Sequence, residues 1–142
     1  MQDKHTLDDW LNWQEALMEE TIVLGLDRVQ IVYDKLFPKG VPYSVITVAG
    51  TNGKGSTVSF IDSIYRQSAY KVGRSTSPHL LKYNERFAID GVDVSDEIII
   101  NAFELIEAER NDVTLTYFEF STLAALIIFA EAKVDLAILE VG

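Results

Sequence analysis

The chain has 142 residues, 48% of them hydrophobic and 24% charged, which is the composition of one globular domain with a single core. Its formal net charge of −10 argues against nucleic acid as a general partner, because phosphate backbones require a basic surface. The absence of cysteine excludes disulfides, thiolate metal sites and a cysteine nucleophile. The apolar run over residues 123–130 is too short to span a bilayer, so we expect no membrane partner. The lack of cysteine and the polar, acidic first residues fit a cytoplasmic location, which we expect.

Two helices are predicted before the first strand. Thr6 can cap a helix over residues 6–19, with two aspartates in its first turn. A second helix is predicted over residues 27–37, where Pro38 ends it. The apolar segment between them, residues 21–26, is on sequence alone a connection between helices.

A glycine-rich loop follows the first predicted strand. All four residues of the run Val45–Val48 are β-branched and three of them are apolar, which predicts a buried parallel strand. Three glycines then occur in six residues, from Gly50 to Gly55. The helix predicted next carries apolar residues at i, i+1, i+4 and i+5 on one face, namely Phe60, Ile61, Ile64 and Tyr65. A strand, a glycine loop and a helix in this order form the context that a phosphate-binding loop requires.

The residues of this loop can supply the groups that bind phosphate. Small residues let the backbone approach phosphate oxygens, and the positive end of the helix points at the same place. Lys54 can place a charge on the β- or γ-phosphate, and Ser56 or Thr57 can offer a hydroxyl to phosphate or Mg²⁺. The candidate ATP-binding residues are Gly50, Thr51, Asn52, Gly53, Lys54, Gly55, Ser56 and Thr57.

The spacing of the loop departs from the common pattern. Two residues, rather than four, separate Gly50 from the Gly53–Lys54 pair, and Gly55 stands between the lysine and the hydroxyls. The alternative interpretation is a glycine-rich turn with an exposed lysine. The ordered succession of strand, glycines, lysine, hydroxyls and helix favours phosphate binding.

A second short strand is predicted over residues 71–76, which implies a right-handed parallel crossover. It delivers Ser77, Pro78 and His79 to its C-terminal end, where ligands bind in open parallel sheets. Ser77 is a candidate contact for magnesium or phosphate. His79 could bind a metal or act as a base, although a lone histidine is more often structural.

The C-terminal part of the sequence predicts a hairpin, two helices and a last strand. Residues 87–94 alternate in polarity around Asp90–Gly91, a strong hairpin signal. Ser95 can cap the first helix, whose buried face is Ile99, Ala102, Phe103 and Ile106, and the second begins near residue 116. The strand that follows places Glu140 at its C-terminal end, where an acid would hold Mg²⁺; the alternative is a solvated acid at a strand end.

Several of these motifs together resemble a known family. Residues 48–56 resemble the ATP loop of the Mur ligase superfamily. Four further stretches, residues 75–80, 83–86, 116–119 and 138–142, resemble the folylpolyglutamate synthase / dihydrofolate synthase family. The matches are in family order and span nearly the whole chain. The resemblance implies an α/β fold, a parallel sheet with flanking helices, in the N-terminal part of a P-loop-type nucleotide-binding domain.

The resemblance also implies an activity, which is an ATP- and Mg²⁺-dependent amide ligase. ATP would phosphorylate the carboxylate of dihydropteroate or of a folate's terminal glutamate, and the amine of L-glutamate would then displace phosphate. Lys54 and Glu140 are the catalytic candidates, and Ser56, Ser77 and Glu140 the metal candidates. The implied pteroate- or folate-binding residues are Ile22, Val23, Leu24, Pro78, His79, Thr116, Tyr117, Phe118 and Glu119.

Within the last stretch, the rings of Tyr117 and Phe118 can stack on a pterin, and Glu119 can accept hydrogen bonds from its N–H groups. Core packing is the alternative interpretation of the two rings. Because members of the resembled family continue past Gly142, we expect the chain to be an N-terminal fragment, with the glutamate site downstream. We also expect a monomer.

Two other functions stay open on the sequence. One is a Mur ligase that acts on a cell-wall precursor, which the Ser77–Leu80 and Tyr117–Glu119 stretches disfavour. The other is a nucleotide-binding switch that hydrolyses ATP or GTP without ligation.

Overall fold

The structure is a computed structural model that describes residues 3–20 and 25–141, and the side chains of residues 3–17 and 25–141. The helices are α1 (Leu7–Glu20), α2 (Asp27–Leu36), α3 (Lys54–Gln67), α4 (Asp96–Arg110) and α5 (Tyr117–Glu131). The strands are β1 (Ser44–Ala49), β2 (Val72–Ser75), β3 (Phe87–Ile89), β4 (Val92–Asp93) and β5 (Leu136–Val141). Within the described residues, no helix has the length and apolarity needed to cross a membrane.

The chain forms two compact units, and the first is helical. It comprises Met1–Gly40 and Asp96–Ile127, and its core is built around aromatic rings. Phe103 lies 5.7 Å from Trp10 and 6.1 Å from Phe120, ring centre to ring centre. The predicted buried face of α4 is confirmed, since Ile99, Ala102, Phe103 and Ile106 are all fully buried.

The second unit comprises Val41–Ser95 and Ile128–Gly142 and contains the sheet. The strand order is β1-β5-β2-β3-β4. The strands β1, β5 and β2 are parallel, whereas β3 and β4 form the predicted hairpin and pair antiparallel. The predicted parallel sheet with flanking helices is therefore confirmed for β1, β5 and β2, and the antiparallel strands β3 and β4 extend it at one edge. Ile138 of β5 lies opposite Ile46 of β1 and Arg74 of β2.

One prediction about α3 is wrong. Phe60 and Ile64, which the spacing placed on the apolar face, are 72% and 59% exposed. The buried residues of α3 are Val58 and Asp62, while Ile61 and Tyr65 pack against the sheet core. The inward stripe thus follows i, i+3, i+4 and i+7, and its third member is a carboxylate. Because one of the four inward residues is an acid, the spacing of apolar residues alone predicts the wrong buried face of α3.

A close approach explains the one glycine inside β2. A Cβ atom built on Gly73 would lie 2.5 Å from the ring of Phe129 in α5, far inside van der Waals contact. Gly73 and Phe129 both belong to the second unit and both are buried. The absence of a side chain at residue 73 therefore makes room for the ring.

Candidate functional site

The glycine loop between β1 and α3 adopts a conformation that favours glycine at two positions. Gly50 has a φ of 151° and Gly53 a φ of 74°, both rare for residues with a side chain. Gly53 is the N-cap of α3 and gives it no side-chain cap. The Thr57 N–H and hydroxyl both donate to the Gly53 carbonyl, each at 3.0 Å. The loop therefore presents the positive end of α3, without a side chain to cover it, to any anion placed there.

An open cleft of about 670 Å³ lies beside this helix end, within the second unit. It is lined by Thr51, Asn52, Gly53, Lys54, Gly55, Ser59, Arg74, Thr76, Ser77, Pro78, Leu80 and Glu140. The lining comes from the C-terminal ends of β1, β2 and β5, because the three strands are parallel and in register. This is the edge at which ligands bind in open α/β sheets.

The cleft brings together two residues that are 63 positions apart in the sequence. The Ser77 backbone N–H donates to Glu140 Oε1 over 3.4 Å. A serine hydroxyl and a carboxylate are the hard oxygen ligands that Mg²⁺ prefers, with water completing its shell. Within residues 3–20 and 25–141, no group of three or more acidic, histidine or cysteine side chains could hold a metal. The residues present therefore fit an ion shared between protein and phosphate rather than an all-protein cage.

Some loop residues lie outside this cleft. Ser56 lines a smaller neighbouring cavity of about 480 Å³, together with Gly55, Ser59, Phe60 and Ser63. The Thr57 hydroxyl is used inside α3, as described above. Neither Gly50 nor His79 is among the residues that line the larger cleft. Ser77 and Glu140 are thus the two metal candidates that share one cavity.

His79 is held by a neighbouring arginine. Arg86 Nε donates to His79 Nδ1 over 2.8 Å, and Tyr83 packs edge-on against the imidazole. Because Nδ1 accepts a hydrogen bond, a neutral His79 carries its proton on Nε2 and can donate from there. The geometry makes His79 a positioned donor and gives no support to metal binding through Nδ1.

The loop after His79 is fixed by one carboxylate. Glu85 accepts the backbone N–H groups of Leu80, Leu81 and Lys82 at 2.9, 3.0 and 2.7 Å. These bonds, that from Leu80 above all, hold the pKa of Glu85 below its ordinary value. The Ser77–Pro78 peptide bond in this loop is cis.

The stretch from Thr116 to Glu119 belongs to the first unit and begins α5. Thr116 N–H donates to Glu119 Oε1 at 2.9 Å, and Glu119 N–H donates to Thr116 Oγ1 at 3.2 Å, which is a reciprocal capping box. Arg28 Nη2 lies 3.3 Å from the same Oε1. Phe118 is 57% exposed, so core packing does not account for its ring. The predicted Ile22, Val23 and Leu24 lie outside the described residues.

Two charged residues of the second unit were missed by the sequence reasoning. Asp62 is a fully buried acid in α3, and Arg74 of β2 lines the cleft and forms an ion pair with it. The signal in the sequence is Asp62 at an inward position of α3, since a buried carboxylate needs a cationic partner such as Arg74.

No protein-family model matches the chain. It is 46% identical over 137 residues to the dihydrofolate synthase/folylpolyglutamate synthase of Escherichia coli K12. The matched region covers 96% of this chain and 32% of that protein. The chain thus spans about one third of the length of this curated relative.

Two solved structures share the fold. One is Escherichia coli FolC in complex with DHPP and ADP, with a TM-score of 0.91, 45% identity, and coverage of 100% of this chain and 34% of that one. The other is a bifunctional folylpolyglutamate synthase/dihydrofolate synthase with Mn, AMPPNP and L-glutamate bound, with a TM-score of 0.90, 45% identity, and coverage of 100% and 34%.

Proposed function

Because this chain belongs by sequence and fold with the N-terminal portion of the dihydrofolate synthase/folylpolyglutamate synthase family, we propose that it forms the nucleotide-binding part of an ATP-dependent amide ligase. The acceptor would be dihydropteroate or a folate, and L-glutamate would supply the amine. The cleft that collects Lys54, Ser77 and Glu140 at one sheet edge carries this proposal.

The proposed reaction has two steps. A carboxylate oxygen of the acceptor attacks the γ-phosphorus of ATP, the bond to the β–γ bridging oxygen breaks, and ADP leaves an acyl phosphate. The amine nitrogen of L-glutamate then attacks the acyl carbon, the C–O bond to phosphate breaks, and the nitrogen loses a proton. The products are an amide, ADP and inorganic phosphate.

The chain's own residues would act mainly on the first step. The backbone from Thr51 to Gly55 and the end of α3 would hold the phosphates. Lys54 would offset the charge that develops on the transferred phosphoryl group. Ser77 and Glu140 would hold Mg²⁺, and the ion, when bound, would supply positive charge opposite the phosphates.

Each unit carries candidate residues for the acceptor. In the second unit, Pro78 lines the cleft, and His79 offers an N–H from Nε2. In the first unit, the exposed ring of Phe118 suits stacking on a pterin, and Tyr117 stands beside it. The capping box and Arg28 fix Glu119 Oε1, so we assign Glu119 to shaping this surface as well as accepting hydrogen bonds.

The ligands of the two solved relatives support this choice, since one contains DHPP and ADP and the other Mn, AMPPNP and L-glutamate. The matches to synthases of folate metabolism favour this function over a ligase for cell-wall precursors or a nucleotide switch. Cytoplasmic location is part of the proposal, because ATP must be available to the reaction. We further propose that the protein acts as a monomer.

The test is product analysis with the full-length protein. We expect ADP to form only when a pteroate or folate and L-glutamate are both present, with a glutamylated product in equal amount. ADP formation without an acceptor would indicate the switch, and ADP formation with a UDP-linked muramyl precursor would indicate the cell-wall ligase. Either outcome would contradict the proposal.

A further inference from the structure

The buried carboxylate of Asp62 holds two arginines at once. Its side chain is 1% exposed. Oδ1 accepts Arg66 Nε over 2.9 Å, and Oδ2 accepts Arg74 Nη1 over 3.1 Å. A buried charge is costly unless it is paired and hydrogen-bonded, and here both oxygens have a cationic partner. The arrangement fixes the direction of both guanidinium groups.

The two arginines differ in where they lie. Arg66 is on α3, one turn after Asp62, and its side chain is 38% exposed away from the cleft lining. Arg74 is on β2, its side chain is 23% exposed, and it lines the cleft together with Lys54 and Glu140. Thr76, which follows the last residue of β2, also lines the cleft, so Arg74 lies beside the end of the strand that leads to Ser77.

We propose that Arg74 is a second cationic ligand for the terminal phosphates of the nucleotide, and that Asp62 is the positioning residue that aims it. The proposal rests on the nucleotide site of the proposed function. The bond to Asp62 uses one of the five N–H donors of the guanidinium, which leaves donors for a phosphate oxygen. A planar fork suits phosphoryl oxygens, and a fork already held by a carboxylate loses little freedom on binding.

The charges around the cleft agree with this assignment. Lys54 and Arg74 supply two positive charges to the lining, against one negative charge from Glu140. Asp62 does not cancel Arg74 alone, because Arg66 shares the same carboxylate. A polyphosphate therefore meets a site with net positive charge, although the chain as a whole carries −10.

The experiment measures nucleotide affinity in the full-length protein by calorimetry, with AMPPNP and Mg²⁺ as the probe. Arg74→Gln should raise the Kd by about tenfold or more, the scale of one charge-assisted hydrogen bond. Arg74→Lys should recover part of that loss. Arg66→Gln is the matched control, since it removes the other partner of Asp62, and its Kd should stay within about twofold.

Folding is separated from binding by a further variant. Arg74→Gln leaves the buried Asp62 carboxylate with Arg66 as its one cationic partner and can lower stability, so a double variant that also carries Asp62→Asn removes that buried charge. The double variant should melt close to the wild type and still show the raised Kd. Asp62→Asn alone should weaken binding less than Arg74→Gln, because the cation stays in the cleft.

Several results would overturn the proposal. One is a folded Arg74→Gln or double variant with unchanged Kd, and another is an equal loss in Arg66→Gln, which would make the trio purely structural. If the wild type binds no nucleotide, or Lys54→Ala binds it as well as the wild type, the proposed function fails together with this inference. Loss in Lys54→Ala without loss in Arg74→Gln overturns the inference alone.

Discussion

Glu140 at the end of β5 accepts the backbone N–H of Ser77 beyond the end of β2, over 3.4 Å. This bond joins the acid to the loop that would share its metal ion. Glu140 is half-buried at the strand end rather than in the core, so core packing does not account for its position, and we expect its carboxylate to meet a ligand. The same reasoning applies to Lys54 at the start of α3.

Lys54→Ala is expected to lower turnover of the full-length protein by roughly a hundredfold or more, the scale of losing one charge partner of the transition state. The free energy of unfolding should change by about 1 kcal/mol or less, because the side chain lies outside the core. Turnover and thermal melting are measured side by side. Near-normal turnover, or loss explained by unfolding, would remove Lys54 from the site.

Glu140→Ala is expected to cause a similar loss of turnover, about a hundredfold, and also to raise the magnesium concentration needed for half-maximal rate. Lys54→Ala serves as the control here, since it should leave the magnesium requirement unchanged. A titration of rate against magnesium separates the two. Equal magnesium dependence in both variants would contradict the metal role of Glu140.

Gly73→Ala is expected to destabilise the fold by about 1–3 kcal/mol, because the added methyl group would collide with the ring of Phe129. Gly55→Ala is the matched control for stability. A Cβ there would meet nothing within 4 Å, and the residue lies inside α3, where alanine is favoured over glycine. Denaturant unfolding of both variants tests the expectation, and equal stabilities would refute the close approach.

Glu85→Gln is expected to lower the melting temperature at neutral pH and to lose that difference in acid. The folded-state pKa of Glu85 lies below its ordinary value of 4.5, so ionised Glu85 stabilises the fold above that pH. The contribution disappears as the pH falls through the depressed pKa. Melting curves across pH check this, with Glu104→Gln on the exposed side of α4 as control. A difference between Glu85→Gln and the wild type that persists at low pH would contradict the cause.

Local patterns were enough to predict the loop between β1 and α3, the hairpin at Asp90–Gly91 and the buried face of α4. In each case the signal is chemical and short-range: glycines before a helix, an Asp-Gly turn, or apolar residues at helical spacing. The proximity of Ser77 and Glu140 could be predicted because the C-terminal ends of parallel strands meet at one edge of the sheet.

The sequence could not reveal features that depend on tertiary partners. The inward stripe of α3 contains Asp62, and only the arginine from β2 makes that burial possible. For the same reason Phe60 was assigned to the wrong side. The capping role of Glu119 was overlooked because the stretch was interpreted as a ligand surface, although a threonine followed three residues later by a glutamate is also a cap signal.

The strand order has a consequence for how the protein is made. β5 lies between β1 and β2, yet it follows both of them in the sequence. A ribosome therefore releases both outer parallel strands, and the glycine loop, before the strand that joins them. Ser44 must wait for Leu136 to pair, a contact of long sequence separation that is slow to form. The nascent chain therefore holds the glycine loop without Glu140 until β5 emerges, and the cleft that both line cannot form before then.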